Sequence, residues 1–125
     1  MKSILMLISG VLCLGGGLLH GSGIRVIHAQ AAKANLDVHM AEVVDLAWVF
    51  MSMGMLTFAA ILITCGLQMR KKNYSGRVFA GWAAVCLILF SGGSIIHFGY
   101  DSHFLFFLIV GALAAFACIP DKAAA

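Results

Sequence analysis

Residues 4–19, 46–67, 78–96 and 104–119 contain no Asp, Glu, Lys or Arg, and this restricts the folds open to the chain more than any other feature. A helix rises about 1.5 Å per residue, so roughly 20 apolar residues cross a hydrocarbon core of about 30 Å. The second and third runs meet that length alone. The first and fourth reach it with their flanks, residues 1–3 with 20–23 and residues 100–103. None of the four alternates apolar and polar residues, as the strand of a membrane barrel must. Hydrophobic residues make up 62% of the chain and charged ones 10%, against about 25% charged in an ordinary soluble domain. The surplus apolar surface therefore needs lipid. Expected is one all-α domain over residues 1–125, with spans at about 3–23, 42–69, 77–98 and 103–120.

The first run could pass for a secretory signal, with Lys2 ahead of it and Ala29-Gln30-Ala31 behind. About ten residues separate Leu19 from that site, longer than the usual cleavage region, so it is expected to be a span. Orientation follows from the cations. Arg70, Lys71, Lys72 and Arg77 lie in one turn, and Lys2 and Lys122 fall on the same side after four crossings. Arg25 and Lys33 fall opposite. By the positive-inside rule both termini are expected in the cytoplasm of a bacterial-type inner membrane. The net charge of +3 comes from that turn and calls for no nucleic acid.

Short connections make consecutive helices antiparallel, giving an up-down four-helix bundle. The longest connection, residues 24–41, repeats Ile24, Ile27, Ala31 and Val38 at near-helical spacing, with Arg25, Gln30, Lys33 and Asn35 off that line. It is expected to form a short interfacial helix on the outer leaflet, with Asn35 or Asp37 capping the second span. Ser9, Cys13, Gly17 and Gly21 form a small-residue stripe for close helix packing, within the bundle or against another subunit. Ala80 with Ala84, and Gly111 with Ala115, offer similar faces. Cys13, Cys65, Cys86 and Cys118 form no CxxC pair and are expected to act as small hydrophobes. Trp48, Tyr74 and Trp82 are expected interface anchors.

The polar residues gather at one end. His20, His28, His39, His97 and His103 all fall at the outer end of this topology, with Asp37, Glu42, Asp45 and Asp101, whereas Asp121 is the cytoplasmic acid. His39, Glu42 and Asp45 recur every three residues on one side of a helix. With His103 they form a candidate transition-metal set, since imidazole and carboxylate suit zinc, copper, nickel or iron. No HExxH motif is present. His20 follows Gly16 and Gly17, and His97 follows Gly92 and Gly93, so both have room beside the helix for a flat ring. That pair is the candidate axial set for a b-type haem. Met51 and Met55 share a face beneath His39 in an arrangement that resembles copper-uptake channels. No ionisable residue lies deep in a span, which argues against a proton-coupled carrier.

Two segments carry a family likeness. Gly15-Gly16-Gly17-Leu18-Leu19-His20, followed by Trp48 and a Met/Gly/Leu-rich helix, is one. Ala80-Gly81-Trp82 with Leu89-Phe90-Ser91-Gly92-Gly93-Ser94 is the other. They resemble uncharacterised families of small bacterial four-helix membrane proteins over roughly half the chain, although Val49 stands where the first pattern has a histidine. The resemblance implies the architecture and no activity. The expected function is non-enzymatic: an accessory or assembly subunit of a larger membrane complex, or a self-associating one. The alternatives are a haem- or metal-binding redox protein, and copper or small-solute transport.

Overall fold

The computed structural model describes residues 1–120, so Asp121 and Lys122 lie outside the described residues. The described chain is all-helical: α1 (Lys2–Ser22), α2 (Ile24–Lys33), α3 (Val38–Arg70), α4 (Arg77–Phe98) and α5 (Ser102–Cys118). α1, α3 and α4 are long and apolar enough to cross a membrane, whereas α5 is apolar but has 17 residues. At 33 residues α3 is about 50 Å long, more than a hydrocarbon core needs.

The helix ends follow from local chemistry. α1 stops at Gly23, whose N–H bonds to the His20 carbonyl at 3.0 Å, and α2 leaves from there. The expected run from Ile24 to Val38 is not one helix. Asn35 adopts φ 52°, and the Asn35 and Leu36 N–H groups bond to the Ala32 and Ala31 carbonyls, a left-handed cap that ends α2. Asp37 then caps α3 by accepting from the Met40 N–H at 3.0 Å, so Val38 starts α3. Lys72 (φ 59°) ends α3 as Asn35 ends α2. Asn73 Oδ1 accepts from the N–H and hydroxyl of Ser75, closing the basic turn. Between α4 and α5, Gly99 takes φ 88° and ψ −178°, a conformation essentially reserved for glycine. Asp101 caps α5 by accepting from the His103 N–H at 2.7 Å.

α1 lies between α3 and α5, and α4 packs on α5. Along α1, Leu7 meets Gly66, Gly10 meets Ile63, Gly17 meets Met55 and Leu56, and Gly21 meets Ser52, so α1 and α3 run antiparallel. Against α5, Gly16 meets Phe106 and Phe107, and the Lys2 ammonium donates to the Ile119 carbonyl. The α4–α5 pair is antiparallel too: Gly111 sits against Ala84, Leu87 and Ile88, and the Cys118 thiol lies 3.6 Å from the Arg77 carbonyl. The basic turn thus lies at the same end as Lys2, and the histidines lie at the other.

The seams are built from small residues. Gly10, Cys13, Gly17, Ala59 and Gly66 are buried between α1 and α3, Ala84 and Gly111 between α4 and α5, and Ser9, Ala80, Ala83, Ala114 and Ala117 are buried as well. Large apolar side chains such as Leu46, Phe50, Phe79, Leu89 and Ile96 point outward. This inverts the plan of a soluble core, where large residues fill the interior. The expected stripe of Ser9, Cys13, Gly17 and Gly21 faces α3, but the closest approach falls at Gly10 and Gly66. A Cβ at Gly10 would lie 2.6 Å from Ile63 Cγ1 and 2.8 Å from its backbone nitrogen, and one at Gly66 2.7 Å from Leu7 Cγ. Ala115 is only partly buried, and Ala114 is buried instead.

Candidate imidazole cleft

The seam of α1 ends at a histidine. Met6, Ser9, Gly10, Cys13, Gly17 and His20 form one face at three- and four-residue spacing, so the pattern that packs α1 on α3 also carries the imidazole inward. His20 is 8% exposed. Trp48 stacks on its ring with centroids 3.7 Å apart and planes 15° apart. The same indole donates Nε1–H to the His20 carbonyl at 2.7 Å, a second bond to the acceptor that also takes the Gly23 N–H where α1 ends. A Cβ at Gly23 would lie 3.3 Å from the indole, so this corner is shaped around Trp48.

Ser52, one turn after Trp48, is the hydrogen-bond partner of the imidazole. Its hydroxyl carries one hydrogen and bonds the Trp48 carbonyl at 2.8 Å. The Ser52 oxygen therefore accepts from His20 Nδ1–H, 2.9 Å away. A neutral imidazole protonated at Nδ1 has a bare lone pair on Nε2. His20 is thus held in place, and in this tautomer Nε2 is an acceptor.

His103 is the second imidazole of the site. The first turn of α5, set by the Asp101 cap, brings its ring to 5.7 Å from that of His20, 27° from parallel. The edge of Phe107 supports it at 5.1 Å. The two histidines open onto a cleft of about 490 Å³ walled by Val44, Trp48, Met51, Phe90 and Phe104, with Asp101 at its rim. That volume suits a small ligand, as does an apolar wall with a few convergent polar groups.

The other expected site residues lie elsewhere. Asp45 turns to α2 and accepts from His28 Nδ1 at 2.7 Å, tying α2 onto α3. Its second oxygen is buried without a hydrogen-bond partner. His39 and Glu42 are exposed, so the set of His39, Glu42, Asp45 and His103 is divided between the α2–α3 contact, the surface and the cleft. Among the described residues no three His, Cys, Asp or Glu side chains converge to hold a metal ion. For the haem pair, the space beside Gly16 and Gly17 is taken by Phe107, Phe106, Met55 and Leu56, while Gly92 and Gly93 face open space. His97 is exposed, with its ring against Phe98. His20 therefore shares its cleft with His103, not with His97. Met51 lines this cleft, while Met55 is buried beneath it.

Ser52, which holds the His20 ring, is not among the residues that the sequence singles out. A serine four residues after the tryptophan, within an apolar run, was the available signal. Comparison with known proteins finds no matching family model, curated protein or solved structure, so function has to be read from the site.

Proposed function

We propose that the chain is a non-enzymatic inner-membrane protein of the bacterial type that binds a small guest in the His20–His103 cleft. In this reading α1, α3, α4 and α5 cross the bilayer as an up-down bundle, α2 lies in the outer interface, and both termini face the cytoplasm. The outward-facing large side chains and small-residue seams support the membrane assignment. The basic turn on the Lys2 side supports the orientation. α5 spans about 26 Å by itself, a mismatch that local thinning of the bilayer accommodates.

The observation that carries the binding reading is the pinned His20 ring, held near a second imidazole at the wall of a largely apolar cleft. The same geometry argues against nucleophilic catalysis at Ser52. A base must take the hydroxyl proton, but His20 Nδ1 already carries one and the Ser52 hydrogen points to the Trp48 carbonyl.

A second reading, an accessory subunit, keeps support from α4. Gly81, Gly92 and Gly93 have no atom within 4 Å of a built Cβ, and Val85 and Leu89 between them are exposed. This face suits another helix. The stripe on α1 no longer argues for a partner, because α3 covers it.

One purification tests both readings. Wild type and the His20→Gln/His103→Ala double variant are extracted from native membranes in mild detergent without added metal. Each is then assayed for extractable small molecules, metals, visible absorbance and co-purifying proteins. A near-stoichiometric small species in wild type, missing from the variant, is the expected result. Equal small-molecule and metal content in the two would overturn the binding reading, and a stoichiometric protein partner retained by both would favour the accessory one.

A further inference from the structure

We infer that the guest is a membrane-soluble amphiphile with a hydroxylated aromatic head, such as a phenol or hydroquinone, and an alkyl or isoprenoid tail. This rests on the reading of the His20–His103 cleft as a binding site. The head is specified by the protons. With Nδ1–H given to Ser52, His20 Nε2 is left as an acceptor, so a guest that offers it a hydrogen fits, and a hydroxyl does so without bringing a charge against the apolar wall. His103 has ring contacts but no side-chain hydrogen bond among the described residues, and so is open to a second oxygen on the head. The walls specify an aromatic head, since Trp48, Phe90 and Phe104 line the cleft with the two imidazoles.

The tail is specified by what lies below. α3 and α4 touch only sparsely, in contrast with the tight α1–α3 and α4–α5 seams. Between them runs a wholly apolar groove of about 190 Å³, walled by Gly54, Met55, Phe58, Cys86 and Leu87. Met51 and Phe90 line both this groove and the imidazole cleft, so the two are neighbours along the bundle. Gly54 keeps the groove open, because no atom lies within 4 Å of a built Cβ there. A cleft carrying two imidazoles, with an apolar groove beside it along the bundle, fits a headed lipid.

Trp48 is the natural reporter, and Trp82→Phe leaves it as the sole tryptophan, since Trp82 is 67% exposed. This protein, in lipid nanodiscs, is titrated with decylhydroquinone, its dimethyl ether, methylhydroquinone and Zn²⁺, each at two lipid-to-protein ratios to separate binding from partition. Expected is saturable quenching of Trp48 by decylhydroquinone, with the ether weaker by about tenfold or more. His20→Phe, which keeps a ring and removes the acceptor, should abolish that preference. Gly54→Leu and Cys86→Phe, which fill the groove from either side, should each weaken decylhydroquinone and leave methylhydroquinone unchanged. Equal binding of hydroquinone and ether overturns the hydroxyl head, and indifference to both groove variants overturns the tail. A saturable response to Zn²⁺ alone overturns the amphiphile while leaving the cleft as a binding site. No response to any probe, together with equal content in the purification above, removes the binding reading itself.

Discussion

Gly10→Leu should destabilise the bundle more than any other single change on α1, by about 3 kcal/mol or more. The built Cβ alone comes within 2.8 Å of the Ile63 backbone nitrogen and 3.3 Å of the Ala59 carbonyl oxygen. A flexible side chain can move aside, but the α3 backbone yields only if the whole seam opens. Gly17→Leu should cost less, because its nearest neighbours are the Met55 and Leu56 side chains at 3.1 and 3.2 Å. Gly15→Leu is the control, since nothing lies within 4 Å of a Cβ there. Unfolding titrations in mixed micelles should rank stability as Gly15→Leu, then Gly17→Leu, then Gly10→Leu. A Gly10→Leu protein as stable as the Gly15→Leu control would show that α1 and α3 are not in backbone contact.

Trp48→Ala should have the second largest effect, about 3 kcal/mol, since it removes a large ring and leaves a void between α1 and α3. Three contacts disappear together: the stack on His20, the bond to the His20 carbonyl and the support of the Gly23 corner. Trp48→Phe keeps a ring on the imidazole and loses the N–H donor, so it should cost only about 1 kcal/mol. The expected order is wild type, Trp48→Phe, Trp48→Ala in thermal unfolding followed by circular dichroism. If both variants match wild type, the indole is an ordinary interface anchor.

That contrast marks how far the sequence was legible. Uncharged runs determine helices almost by themselves, because a stretch such as 46–67 offers nothing that water would solvate. The Asp37 cap is legible for a similar reason, since a carboxylate just before an apolar periodic run has free N–H groups to accept from. The break between α2 and α3 was not, because Asn35 adopts a backbone that few residues favour. The site depends on neighbours. Helical spacing places His20 and His97 at ends of their helices, but not which helices touch. Only the packing of α1 between α3 and α5 makes His103 the partner of His20. Gly10 and Gly66 are less conspicuous in the sequence than Gly15-Gly16-Gly17, yet Gly15 faces nothing. Asp45 reads as a metal ligand on α3, and meets His28 only because Gly23 folds α2 back.

The pinned imidazole is central to the functional reading, and its protonation can be observed directly. Protein labelled with ¹⁵N-histidine is reconstituted in lipid, and its ring nitrogens are assigned by comparison with His20→Gln and His103→Ala variants. Neutral His20 should carry its proton on Nδ1, with Nε2 bare, as the hydrogen bonds through Ser52 to the Trp48 carbonyl require. Ser52→Ala should release that preference. A wild-type His20 protonated on Nε2 would contradict the account, because the cleft would then present a donor and a hydroxyl-bearing guest would lose its acceptor.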